Sequence, residues 1–135
     1  MRILILDDDE FRHKFYKRVY SKHDVTHAYT YYEFLRHLDH SSPWDLIHLD
    51  HDLGDLQTGD TYVDGWGARR EFNGGHASMR ICELDDDRLP TQVLIQSVNP
   101  DGARVMRSNL QQRGVAVKWV PFGESTAVID TGRNL

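Results

Sequence analysis

Apolar and polar residues fall in blocks along this chain, and the period changes from block to block. Ile3–Leu6 is an unbroken apolar run that stops at Asp7-Asp8-Asp9. A short run bounded in this way fits a strand buried on both faces, as in a parallel sheet. Phe11, Phe15 and Val19 then recur every four residues, with Arg12, Lys14, Lys17 and Arg18 between them. That spacing predicts an amphipathic helix resting on the Phe11, Phe15 and Val19 side, with Asp8 or Asp9 as its N-cap. Val25–Tyr29 reads as a second strand. In Thr30-Tyr31-Tyr32-Glu33 the Thr oxygen can take the N3 amide while Glu33 reaches back, a capping box. Phe34, Leu35 and Leu38 form the stripe of that helix, and Ser41-Ser42-Pro43 closes it.

The pattern then repeats. Asp45–Asp50 predicts a third strand, and Asp52–Asp60 a polar, Gly-containing loop. Thr61–Phe72 carries Tyr62, Val63 and Trp66 and is assigned a third helix, although Gly65 and Gly67 weaken it. Residues 73–89 show no clear period and are read as an insert. Gln92–Gln96 is a fourth strand, and Asn99-Pro100 opens a helix with an Asn cap and Pro at N1. Ala103, Met106 and Leu110 line its inner side, Gly114 suits its end, and Val115–Val120 is a fifth strand. Strands alternating with helices through short links imply a parallel α/β sheet with right-handed crossovers. One domain is expected over residues 1–122, followed by a short tail at 123–135 with the last helix shortened or absent.

Composition narrows the function classes. The 135 residues are 27% charged and 39% hydrophobic, an ordinary globular balance. A net charge of −5 argues against a broad nucleic-acid surface. The basic strips Phe11–Arg18 and Arg104–Arg113 read as solvated helix faces. Cys82 is the only cysteine, so no disulfide forms within the chain. The first apolar run is too short for a signal peptide or a membrane span, so a cytoplasmic location is expected.

Ligands of open parallel sheets bind beyond the carboxyl ends of the strands. Here those ends carry Asp7-Asp8-Asp9, Asp50-His51-Asp52 and Ser97-Val98-Asn99. Adjacent carboxylates repel one another unless a cation intervenes, and hard oxygen ligands suit Mg²⁺ or Mn²⁺. Asp7, Asp8 and Asp50 are therefore the candidate metal ligands. The lesser reading is that Asp8 and Asp9 only cap a helix while Asp50 opens a loop, and for Asp9 alone capping is the favoured role. His48 reads as a core histidine, and no metal role is expected for His76 or Cys82.

"ILILDDDE" followed by "WDLIHLDHDLG" resembles the first and third strands of response-regulator receiver domains. The resemblance implies a flavodoxin/receiver-like fold of five parallel strands in the order 2-1-3-4-5. On it, Asp7 and Asp8 match the metal-binding acidic pair, Asp50 the phosphoacceptor and Ser97 the hydroxyl residue ending the fourth strand. Val120 stands where receivers carry a lysine that pairs with the phosphoryl group, and Lys118 lies two residues earlier. "LDHDLGD…TG" and "SVNPDGARVM" further resemble the cyclic-phosphate processing receiver-like family. That resemblance implies action on a cyclic phosphate of a nucleotide or an RNA end.

The expected function is thus a metal-dependent phosphoesterase. His51, Asp50 and Asp52 are its candidate catalytic residues, and Thr58, Ser97 and Asn99 its phosphate-binding ones. A degenerate receiver used for signalling or partner binding is the main alternative. A haloacid-dehalogenase-like phosphatase, with Asp7 as nucleophile and Asp9 as acid, is the lesser one. A homodimer is expected if the unfinished last α-unit leaves apolar sheet surface for a second copy to cover.

Overall fold

The computed structural model describes residues 1–50, 61–97 and 99–120. Its elements are β1 (Arg2–Leu6), α1 (Glu10–Val19), β2 (Asp24–Ala28), α2 (Tyr31–Ser41) and β3 (Leu46–Asp50). They continue with β4 (Thr61–Val63), β5 (Arg69–Glu71), α3 (Gly74–Cys82), β6 (Gln92–Gln96), α4 (Pro100–Gln112) and β7 (Ala116–Val120). Five strands form one parallel sheet in the order β2-β1-β3-β6-β7. Numbering the sheet strands alone, this is the expected 2-1-3-4-5. The readings of the 52–60 loop, the 123–135 tail and the final helix lie outside the described residues. So does the surface invoked for a homodimer.

Alternation along the strands sorts the core into two layers. Leu4, Leu6, Ile47, Leu49, Val93 and Ile95 point to one side, where they meet Phe34 and Leu38 of α2, Ile81 of α3 and Met106 of α4. Ile3, Ile5, Leu46 and Leu94 point to the other and pack with Tyr16 of α1 and its C-cap Tyr20. β1, β3 and β6 are thus central strands buried on both faces, which is why their sequences are mostly apolar without alternation.

The helix on that second side is rotated from the expected one. Phe11 is 82% exposed, while His13, Tyr16 and Tyr20 are buried. The inward stripe is Arg12, Tyr16 and Tyr20, and its polar atoms find partners on the sheet. Tyr16 Oη donates to Gln96 Oε1, and Tyr20 Oη lies 2.8 Å from His48 Nε2. Polar groups satisfied in this way are compatible with burial. Phe15 and Val19 of the expected stripe are partly buried against the same layer, so the expected face is shifted and only Phe11 is left outside.

The helix expected over 61–72 is instead a hairpin, with Thr61 opposite Glu71 and Val63 opposite Arg69. Asp64 Oδ1 accepts from the amides of Trp66 and Ala68, and Gly67 takes φ +80 at the turn. An aspartate bonding the backbone ahead of it, next to two glycines, makes a turn more stable than a helix there. Phe72 and Tyr62 anchor the hairpin, with ring centroids 4.7 Å apart and Phe72 4.2 Å from Tyr31 of α2. Residues 73–89, unread by pattern, hold the crossover helix α3. Asn73 caps it, and His76 Nδ1 accepts from the Asn73 amide. That contact gives His76 a structural role. Cys82 is half-buried, and burial raises its thiol pKa.

Candidate functional site

The carboxyl ends of β1, β3 and β6 come together where the chain turns into α1 and α4. Asp7 follows β1 and is 2% exposed, and Asp50 ends β3 at 3%. Asp50 is in register with Gln96 of β6, and Ser97 is the next residue. One carboxylate oxygen each from Asp7, Asp8 and Asp50 lie within 4.8 Å of one another. Burial raises the pKa of Asp8, and the neighbouring charge of Asp7 raises it further. Three hard oxygens at this spacing are the donor set of a small divalent cation with part of its shell left to water or phosphate.

Arg12, which the pattern had placed on a solvated face, reaches into this cluster from the first turn of α1. Its Nε donates to Asp7 Oδ2 at 2.6 Å and its Nη2 to Asp7 Oδ1 at 2.8 Å. The same Nη2 is 3.3 Å from Asp50 Oδ2 and 3.7 Å from Asp8 Oδ1, while Nη1 is 3.2 Å from Asp9. Burial lowers the guanidinium pKa, but the bonds to Asp7 and the charges of Asp7, Asp50 and Asp9 outweigh that and raise it. A cationic nitrogen thus stands among the three oxygens, showing that the pocket is shaped for positive charge. The signal that could have found Arg12 is its i, i+4 spacing to Asp8 and to Tyr16.

The other expected residues divide. Asp9 is the cap of α1, accepting from the amides of Phe11 and Arg12 at 2.8 and 3.3 Å. The acid required by the dehalogenase-like reading is therefore committed to a helix end. Asn99 caps α4 through Oδ1, which accepts from Gly102. Ser97 is buried, its Oγ accepting from the Asn99 amide at 3.0 Å and its carbonyl from Trp119 Nε1. Val120 belongs to the apolar cluster with Tyr16 and Tyr20. Lys118 pairs in register with Leu94, two residues back from the sheet edge. His51, Asp52 and Thr58 lie outside the described residues. Beside Asn99, between α3 and α4, opens a cleft of about 630 Å³ lined by Asn73, His76, Met79, Val105 and Asn109.

Residues 2–112 match the family model described as the cyclic-phosphate processing receiver domain. The chain belongs to that family. Its fold is shared by solved receivers of low identity. A signal receiver domain of a two-component histidine kinase from Clostridium thermocellum superposes with TM-score 0.65 at 14% identity, covering 98% of this chain and 94% of that one. A response regulator from Thermotoga maritima, solved in complex with Mg(2+)-BeF, gives 0.62 at 17%, with 99% and 98% covered. A response regulator from Burkholderia pseudomallei, with a phosphorylated aspartic acid, calcium ion and citrate, gives 0.63 at 17%. There 90% of this chain covers 59% of the other. No curated protein sequence matches this chain. Among the described residues, no helix of this family member is long and apolar enough to cross a membrane.

Proposed function

We propose that this cyclic-phosphate processing receiver domain is a metal-dependent phosphoesterase that opens a cyclic phosphate of a nucleotide or an RNA end. The observation that carries the reading is the convergence of Asp7, Asp8 and Asp50 at the carboxyl edge of the sheet. These three residues would hold Mg²⁺ or Mn²⁺. The ion, when bound, supplies charge neutralisation for the non-bridging oxygens and acidifies water.

The remaining roles fall to the chain itself. His51 follows Asp50 in sequence, and imidazole is the side chain best suited to exchange protons near neutrality. It is assigned the proton transfer between water and the leaving alkoxide, with Asp52 as its orienting partner. Ser97 keeps a hydroxyl proton to donate, and Asn99, whose side-chain Oδ1 caps the helix, has a side-chain Nδ2 that can donate, so both suit phosphate oxygens. Thr58 is assigned the same task. The N-terminus of α4 favours an anion at that place. The cleft beside Asn99 is of a size that accommodates a nucleoside.

Turnover of 2′,3′-cyclic and 3′,5′-cyclic nucleotides with Mg²⁺ or Mn²⁺ tests this, and its absence across the panel with both ions overturns it. The receiver alternative makes Asp50 a phosphoacceptor. Intact-mass measurement after treatment with acetyl phosphate separates the two, because a stable phosphoryl adduct on Asp50 favours signalling. Val120 weighs against that outcome, since a hydrophobic residue there offers the phosphoryl group no charge.

A further inference from the structure

One nitrogen of Arg12 lies close to all three carboxylates of the candidate metal cluster. Nη2 is 2.8 Å from an oxygen of Asp7, 3.3 Å from one of Asp50 and 3.7 Å from one of Asp8. Both oxygens of Asp7 are engaged by the same guanidinium. Mg²⁺ sits about 2.1 Å from its oxygens and tolerates little distortion. An ion taking oxygens of Asp7 and Asp50 would have to share carboxylates that already accept from the guanidinium, and two positive charges that close repel. The fork and the metal therefore compete for these oxygens.

Arg12 is able to leave. It stands in the first turn of α1, its side chain is 29% exposed, and a guanidinium on a long stem reaches several ångström in either direction. Its planar donors match phosphate as well as carboxylate. Val120, in register with Gln96 and so level with Asp50 at the sheet edge, provides no charge of its own there.

We propose that Arg12 is exchanged within the site. A divalent cation displaces its guanidinium from Asp7 and Asp50, and the freed guanidinium then donates to the substrate phosphate. The first half rests only on the carboxylate geometry, and the second half rests on the phosphoesterase reading. The cation brings two positive charges where the guanidinium brought one, so the acidic residues are never left uncompensated. Arg12 thereby sets how much metal is needed to load the site.

The test uses the full chain and two probes, Mn²⁺ alone and inorganic phosphate. Free Mn²⁺ is followed by electron paramagnetic resonance. Arg12→Gln should bind Mn²⁺ about tenfold tighter or more, because the competing charge is gone. With Mn²⁺ saturating, the same variant should bind inorganic phosphate about tenfold more weakly. Lys14→Gln and Lys17→Gln, exposed on the same helix, should change Mn²⁺ affinity less than about twofold. If Arg12→Gln does not fold without metal, Arg12→Lys keeps the charge but loses the fork and should still bind Mn²⁺ severalfold tighter. Unchanged or weaker Mn²⁺ binding in the Arg12 variants overturns the exchange, as does an equal gain in the lysine controls. Tighter Mn²⁺ with undiminished phosphate binding overturns the handover to phosphate. Neither readout uses hydrolysis, so a failed cyclic-phosphate panel would leave the metal result standing.

Discussion

His48 and Asp50 lie two residues apart on the same face of β3, both almost fully buried, and α1 treats them in opposite ways. His48 sits inside the apolar layer, with Tyr20 on Nε2 and no partner for Nδ1 among the described residues. Burial lowers its pKa from 6.5 to about 3, so it is kept neutral. Asp50 sits one pleat repeat nearer the edge and is met by the Arg12 guanidinium. The two residues that do this, Arg12 of α1 and its C-cap Tyr20, are eight apart, about two helical turns on one stripe. Over that short distance the environment changes from one that suppresses charge to one that collects it. A buried ionisable group is therefore informative through its partners more than through its burial.

Removing the charge at the edge should have the largest effect. Asp50→Asn is expected to lower Mn²⁺ affinity on the order of a hundredfold, read by titration calorimetry, since one of three first ligands loses its charge. His48→Leu should leave that affinity within about twofold, because its site lies a repeat deeper. Equal loss in both variants would erase the distinction between the two positions.

Acid sharpens the same contrast. The unfolded chain takes up a proton at His48 near pH 6.5 and the folded chain only near pH 3. The stability contributed by keeping it neutral is thus complete above pH 6.5 and is lost as pH falls towards 3. This group alone should make the protein about 2 kcal/mol less stable at pH 5 than at pH 7 in urea unfolding. His48→Leu should remove most of that slope. His27, whose pKa burial and His13 lower to about 4, contributes in the same direction.

Tyr20→Phe probes the quiet end from the helix side. It deprives His48 Nε2 of its partner and should cost about 1–2 kcal/mol without altering Mn²⁺ binding. A change in metal affinity would mean that the two ends of the stripe are coupled. The smallest effect belongs outside the stripe. Gly67→Ala must hold a side chain at φ +80 and should cost about 1 kcal/mol. Hydrogen exchange should place that loss in the β4–β5 hairpin alone.

The fold was largely legible because its signals are local. The apolar run of β1, the Thr30 cap and Asn99-Pro100 each act within a few residues, and each appears where the pattern indicated; Glu33, expected to close a capping box on Thr30, meets the Tyr29 amide instead. Asp7, Asp8 and Asp50 were legible for a related reason, since strand ends in a parallel sheet share one edge. The hairpin at 61–71 was missed because Asp64 and Gly67 stabilise a turn through backbone bonds that periodicity does not register.

The sequence by itself determined that the sheet is parallel and that its acidic residues gather at one edge, because strand period and strand direction follow from local pattern. Only the tertiary structure decided which face of α1 turns inward. Arg12 read as part of a solvated strip, and the inward stripe it shares with Tyr16 and Tyr20 emerges only when Asp7, Asp50, Gln96 and His48 are placed opposite. A polar side chain is buried when its partner waits across the interface, and that partner belongs to another part of the chain.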